Sequence, residues 1–333
     1  MSMSQRPAPS RGPILKARFS RHPKVRPRET ACRMALFLMN DGEYQKLNRE
    51  EFIEAAARLG VAVENSSAAG DSARQADQIV SCLIRDESTR PNAILVSPVR
   101  EAALVGAAHR AARLGVGWVL LGRWNSFIND MREEFPRLPI FCVTADQVEI
   151  GRIQGRQILA LMPNGGELVC ICGPLGVSSV TRRLAGLREV LDKKSFHVYH
   201  VNSDWTTPGG TNAMNEWLQI FASGKLPDFG VAAHNDEMAM GAKHALVARA
   251  RVESGFFAAR VPLVGVDGAA GFGQRLIREK AISATVIVPP TAGRAIQEVA
   301  AMLRSGGSCP ESEVVLAPSS FPNADALTRF EGS

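Results

Sequence analysis

Residues 231–247 have the sequence VAAHNDEMAMGAKHALV, in which a strand-like apolar run passes into a helical pattern. Three polar residues, Asn235, Asp236 and Glu237, stand at the junction. A strand that leads into a helix in this way is typical of parallel sheets, whose ligands bind beyond the carboxyl ends of the strands. The stretch therefore predicts an α/β fold with polar side chains at the mouth of a buried strand.

The same alternation of apolar runs and helical patterns continues along the chain. It begins with RMALFLMN (33–40) and ends with EVVLAP (313–318). Alternating strands and helices indicate βαβ units, and hence parallel sheets that are covered on both faces. The strands are too many for one sheet of usual size, so we expect two doubly wound parallel sheets that separate near CVTADQ (142–147).

The positive charge of the chain is concentrated at its N-terminus. The 333 residues carry a net charge of +6, but residues 1–33 hold nine of the 39 Lys/Arg residues and one of the 33 Asp/Glu residues. This segment also has five prolines, which predicts a disordered basic arm over residues 1–33. The remainder is slightly acidic, so we do not expect a nucleic acid as its partner.

The N-terminal segment lacks the uninterrupted apolar stretch of a secretory signal, and no run of about 18 apolar residues occurs in the chain. The six cysteines show no framework spacing, and Cys170 and Cys172 have the alternation of two buried thiols on one face of a strand. With Met1 as the start, the sequence predicts a reduced, cytoplasmic protein.

Polar or unusual residues recur where the predicted strands end. They are Asn40, Asp41, Ser97, Gly122, Arg123, Asp146, the segment 202–205, Asn235, Asp236 and Asp267. Asn, Asp and Ser at such positions are common helix N-caps. Arg123 and Trp205 do not cap helices, so the set as a whole indicates a binding site.

Three segments resemble the sugar-binding type I periplasmic-binding-protein family, which includes ribose-type sugar-binding proteins and lactose-repressor-like effector domains. They are GPLGVSSVTRRLAGLREVL (173–191), HNDEMAMGAKHAL (234–246) and VPLVGVDG (261–268), and the resemblance extends from Met34 to Pro318. It implies two α/β lobes that are joined by three crossings and close around a ligand. The implied first lobe comprises residues 34–145 and 289–313, and the second comprises residues 146–288 and 314–325.

The resemblance also implies a ligand-binding set: Tyr44, Arg123, Asp146, Arg183, Trp205, Asn235 and Asp267, with Asp41, Thr181 and Val288 as further candidates. Aromatic rings suit the apolar face of a sugar, and charged or amide groups suit its hydroxyls. Within 234–237, we expect Asn235 to contact the ligand and Asp236 to cap the helix.

The sequence departs from the ribose-type pattern at several positions. Gly42 stands in place of a ligand asparagine, Gln45 in place of an aromatic residue, and Gly122 in place of an acid beside Arg123. Thr181 replaces a further arginine and Val288 a glutamine. The particular sugar therefore does not follow from the resemblance.

Other functions are less well supported by the residues. The loop in CICGPLGVSS (170–179) lacks the glycine spacing of nucleotide-binding loops, and the histidines lack metal-ligand spacing, so we expect no enzyme, no cofactor and no metal site. A transcription regulator of this family needs a helix-turn-helix ahead of the lobes, which 33 residues with five prolines cannot supply, so the regulator alternative is an effector-binding domain that lacks its DNA-binding domain. The resemblance implies a periplasmic protein, and leaves open whether it docks on a transporter permease or on a membrane sensor kinase.

Overall fold

The computed structural model of the chain describes residues 32–192, 195–220, 226–252, 258–306 and 308–327. Most of the predicted arm, residues 1–31, lies outside these ranges. Among the described helices, none combines the length and apolar character needed to cross a membrane.

The first lobe has a six-stranded sheet with the order β11-β5-β4-β3-β1-β2. Its strands are β1 (Arg33–Leu38), β2 (Ala62–Ser67), β3 (Ala93–Val96), β4 (Gly117–Leu121), β5 (Ile140–Ala145) and β11 (Glu313–Leu316). Its helices are α1 (Glu43–Leu59), α2 (Ser72–Leu83), α3 (Val105–Arg113), α4 (Phe127–Glu134) and α10 (Thr291–Ser305), with a 3₁₀ turn at Glu101–Ala103.

The second lobe has a six-stranded sheet with the order β12-β10-β9-β8-β6-β7. Its strands are β6 (Gly166–Cys172), β7 (Phe196–Asn202), β8 (Phe229–Ala233), β9 (Leu263–Asp267), β10 (Ala284–Ile287) and β12 (Ser319–Phe321). Its helices are α5 (Gln147–Leu161), α6 (Ser178–Leu191), α7 (Thr207–Ile220), α8 (Asp236–Val252), α9 (Gly273–Arg278) and α11 (Ala324–Leu327), with a 3₁₀ turn at Ala258–Arg260.

The predicted fold class, two doubly wound parallel sheets, is confirmed. All strand pairs are parallel except that of β10 with β12. In each sheet the order reverses at one place, between β1 and β3 in the first and between β6 and β8 in the second. Ligands of such sheets bind at these reversal points.

The central strands are buried on both faces, because helices cover both sides of each sheet. Every residue of β3, β4 and β5 is buried, as is every residue of β8. Such continuous apolar runs, rather than alternating ones, are typical of parallel strands between two helix layers.

One predicted lobe boundary is wrong. β11 was expected in the second lobe, but it pairs with β5 in the first sheet, with Glu313 opposite Cys142 and Leu316 opposite Ala145. Val314 and Leu316 pack against the apolar cluster of the first lobe, which accounts for this placement. The chain passes between the lobes three times, after β5, after β10 and between β11 and β12.

Candidate functional site

A cleft between the two sheets encloses about 770 Å³ of space, part of which is open to solvent. Both lobes contribute to its wall, and so do the residues of the second crossing. The lining residues from the first lobe include Asn40, Gly42, Tyr44, Ser97 and Arg123, those from the second include Gln147, Ser179, Arg183, Trp205, His234, Asn235, Glu237 and Asp267, and those at the crossing are Val288 and Thr291.

Seven of the ten residues singled out from the sequence line this cleft: Tyr44, Arg123, Arg183, Trp205, Asn235, Asp267 and Val288. Three do not. Asp146 caps α5, accepting hydrogen bonds from the backbone N–H groups of Val148 (3.1 Å) and Glu149 (2.9 Å).

The other two predicted residues that do not line the cleft are Asp41 and Thr181. Asp41 is exposed and accepts hydrogen bonds from Arg49 (2.8 Å) and Ser67 (2.8 Å). Thr181 lies on the exposed face of α6, two residues before the buried Arg183. Side chains two positions apart on a helix point in directions about 200° apart, so Thr181 and Arg183 cannot lie on the same face of α6. Ser179, four residues before Arg183, lines the cleft instead.

Arg183 is the most enclosed cation of the cleft. Its Nε donates to Gln147 Oε1 (2.8 Å) at the start of α5, and its Nη1 donates to the carbonyl of His234 at the end of β8. Its Cζ lies 5.9 Å from the centre of the Trp205 ring, within cation–π distance. Burial lowers the pKa of Arg183, and the nearby carboxylate of Asp267 opposes this shift.

Trp205 has an unusual backbone conformation and a closely packed ring. Its φ of 71° is unusual for a residue other than glycine. The indole lies against Gly173, where an added Cβ would stand 2.0 Å from Trp205 Cζ2. Any side chain at Gly173 would therefore displace the ring from the cleft wall.

The helix-capping role predicted for Asp236 belongs to Asn235, which also lines the cleft as predicted. Asn235 Oδ1 accepts from the N–H of Met238 (2.8 Å), which is the N-cap interaction of α8. Its Nδ2 donates to the carbonyl of Trp205 (2.9 Å). Asn235 therefore begins the helix and fixes the Trp205 backbone, while its side chain borders the cleft.

Asp236 does not cap the helix and does not line the cleft. It is buried, and its carboxylate accepts from Thr285 Oγ1 (2.6 Å) on β10 and from the N–H of Gly268 (2.8 Å) after β9. An added Cβ at Gly265 or Gly273 would lie 2.1 or 1.9 Å from its carboxylate oxygens. Asp236 thus ties α8 to the two neighbouring strands from inside the lobe.

Asn235→Ala is expected to lower the free energy of unfolding by about 1–2 kcal/mol, because a cap and a buried hydrogen bond are lost together. Urea unfolding measures the change. Asn235→Ser is the matched control, since a serine hydroxyl can cap the helix but cannot reach the Trp205 carbonyl as the amide does. Equal destabilisation by alanine and serine would contradict the capping role.

Asp267 is the carboxylate of the cleft. It ends β9 with a φ of 104°, and its carboxylate has no hydrogen-bond partner among the described residues. Burial raises its pKa well above the usual value, Asp236 and Glu237 add to this effect, and Arg183 opposes it. The oxygen atoms of this carboxyl group have no partner among the described residues and are available to the hydroxyls of a ligand.

The first lobe adds a tyrosine and an ion pair. Tyr44 donates its hydroxyl hydrogen to the carbonyl of Pro289 (3.0 Å), and burial raises its pKa. Arg123 is buried and pairs with Glu101 Oε1 at 3.2 Å. The sequence offered Gly122 where an acidic partner was expected. The acid comes instead from the 3₁₀ turn after β3, so adjacency in sequence did not reveal it.

Glu237 reaches across the cleft to the start of α1. A Cβ at Gly42 would lie 2.7 Å from Glu237 Oε2, so the absence of a side chain at position 42 makes room for this carboxylate. Burial raises the pKa of Glu237, and a hydrogen bond with the backbone of Glu43 opposes this shift. Arg182 and Glu313 form a second contact between the lobes at 3.4 Å.

The chain is similar in sequence and in structure to known binding proteins. The sequence profile of the family described as "Periplasmic binding protein domain" matches residues 35–308. The putative rhizopine-binding protein of Rhizobium meliloti is 29% identical over 223 residues, covering 66% of this chain and 67% of that protein. The D-apiose import binding protein of Actinobacillus succinogenes is 24% identical over 299 residues, covering 87% and 88%.

Among solved structures, the Caulobacter myo-inositol binding protein bound to myo-inositol superposes with a TM-score of 0.72. It is 22% identical, and the match covers 91% of this chain and 97% of that one. At this identity the similarity establishes the shared fold of the two proteins.

Proposed function

The chain belongs to the periplasmic binding protein domain family, and from this premise we propose that it binds one small sugar or polyol by closing its lobes around it. The family consists of solute-binding proteins without enzymatic activity, as the resemblance implied. The protein would therefore hold its ligand without changing it.

The observation that carries this proposal is the convergence of Arg183, Asp267 and Trp205 on one cleft. Trp205 offers an aromatic face to C–H bonds, Arg183 offers a charged donor to hydroxyls, and the Asp267 carboxyl offers them its oxygen atoms. Tyr44 and Arg123 border the same space from the other lobe. A ligand that contacts both sets favours the closed state, because the open state cannot make both sets of contacts at once.

The relatives support the ligand class. One is described as a D-apiose import binding protein, and one solved structure holds myo-inositol. The import function of the D-apiose relative supports a role in transport, with a membrane permease as the partner and the periplasm as the compartment. The departure at Gly42, which leaves room for the Glu237 carboxylate, alters the wall where the two lobes meet, so the preferred sugar need not be that of either relative.

We expect a pentose, hexose or cyclitol to raise the thermal unfolding midpoint of the protein. A ligand that binds only the folded state adds about 2.7 kcal/mol at a concentration 100 times its Kd. A thermal-shift screen of these three classes, with nucleotides and amino acids included, tests the expectation.

The matched control for this screen is Asp267→Asn. Asparagine tolerates the positive φ at this position, so the variant removes the charge without straining the backbone. The sugar found with the wild type should stabilise the variant much less. Stabilisation by a nucleotide or an amino acid, and by no sugar or polyol, would overturn the proposed ligand class.

A further inference from the structure

Two cysteines and a histidine come together at the edge of the second sheet, apart from the sugar cleft. Cys170 and Cys172 lie on one face of β6, and Cys170 is in register with His200 on the edge strand β7. Both thiols are buried, whereas His200 is exposed. The sequence predicted the two cysteines as structural thiols, and His200 was not associated with them.

The distance between the two sulfurs matches that of a tetrahedral metal site, and the histidine lies near them. Cys170 Sγ and Cys172 Sγ are 3.7 Å apart, and the two sulfurs and one ring nitrogen of His200 all lie within 4.8 Å of one another. Zinc–sulfur bonds of about 2.3 Å and tetrahedral angles place two sulfur ligands roughly 3.8 Å apart. The sulfur atoms therefore already stand at the separation that a shared cation requires.

A cation between the two sulfurs would hold both of them as thiolates, because a coordinated thiol is deprotonated.

A second histidine supports the cluster from the cleft side. His234 is fully buried, and its Nε2 lies 3.7 Å from Cys170 Sγ. This separation is within hydrogen-bond range for sulfur, and a neutral imidazole can donate one N–H to a thiolate. A hydrogen bond of this kind to a metal ligand is the usual means of orienting it.

We propose that Cys170, Cys172 and His200 form a binding site for one thiophilic divalent cation of the zinc type, with the fourth position open to water on the exposed side of His200. Three protein ligands of the Cys₂His type suit this class of metal. The exposed histidine on an edge strand gives the cation a path to the buried thiols.

Titration of the full, untagged chain with Co²⁺ tests this site, after treatment with a phosphine reductant and a chelator under anaerobic conditions. Thiolate-to-cobalt charge-transfer absorption should saturate at one Co²⁺ per chain, and Zn²⁺ should abolish it. His200→Asn should weaken Co²⁺ binding by about tenfold or more, and Cys172→Ser should remove the charge-transfer band.

The matched control is His197→Asn on the same strand, which should bind Co²⁺ as the wild type does. His197 is exposed and paired with Glu167, on the opposite face of β7. His200 is also exposed, so its replacement leaves the fold intact even if Cys172→Ser does not fold. Absence of the charge-transfer band in the wild type, or equal loss in the two histidine variants, would overturn the proposal. Neither result depends on sugar binding.

Discussion

Arg183→Met is expected to lower sugar affinity by about 100-fold or more, which corresponds to ~3 kcal/mol. Arg183 joins three parts of the second lobe, because it bonds Gln147 on α5 and the carbonyl of His234 and lies over the Trp205 ring. Methionine keeps much of the buried volume but leaves these acceptors unpaired and removes the donor that faces the ligand. Isothermal titration calorimetry with the sugar found by thermal shift measures the loss.

Two further variants separate the role of Arg183 in binding from its role in folding. Arg183→Lys keeps the charge, but a single ammonium cannot reproduce the planar geometry of the guanidinium, so binding should recover only in part. Arg156→Met removes an exposed arginine of the same lobe that pairs with Glu149 and should leave the affinity unchanged. A folded Arg183→Met protein with wild-type affinity would contradict the site.

The fold could be predicted from the sequence because its signal is local and repeated. Each buried strand is an apolar run, and each helix follows within a few residues, so the two sheets and the polar strand ends emerge from the pattern alone. The exceptions are short or peripheral. β11 has no local mark that assigns it to either sheet, and only its pairing with β5 does so. α4 and the three-residue β12 were not predicted.

From the strand pattern alone, only those site residues that lie at the carboxyl ends of strands could be predicted. Residues at or just beyond the end of a strand, such as Asp267 and Asn235, reach the cleft because the carboxyl ends of the strands lie there. The partner of Arg123 could not be predicted, since Glu101 lies 22 residues earlier on another element. Glu237 was not among the predicted ligand-binding residues, and its contact at the start of α1 depends on how the lobes face each other.

The roles of Asn235 and Asp236 could not be distinguished by sequence because both are good N-cap residues. Packing distinguishes them. Gly265 and Gly273 leave space for the Asp236 carboxylate inside the lobe, and Thr285 and Gly268 supply its donors. These residues lie 29 or more positions away in the chain, so no local pattern contains the information.

Asp236→Asn is expected to stabilise the protein at pH 8 but not at pH 4. Burial raises the pKa of Asp236 to about 7, although the bonds from Thr285 and Gly268 oppose this shift. The unfolded chain loses this proton near the ordinary aspartate pKa of 3.8, so between roughly pH 4 and 7 the folded state binds the extra proton. The stability contributed by the neutral carboxyl is therefore complete below about pH 4 and is lost as the pH rises through 7. Asparagine is neutral throughout, and its amide can donate to Thr285 Oγ1 while its oxygen accepts from Gly268.

The difference in unfolding free energy between Asp236→Asn and the wild type should thus grow with pH, by an amount on the order of 4 kcal/mol at most. Urea unfolding of both proteins from pH 4.5 to 8 measures this difference and cancels titrations that they share, including that of the buried His234. Asp130→Asn on the exposed side of α4 corrects for the loss of one carboxylate elsewhere. Parallel stability curves would show that Asp236 is ionised in the folded state. The bonds from Thr285 and Gly268 would then outweigh the cost of burying the charge.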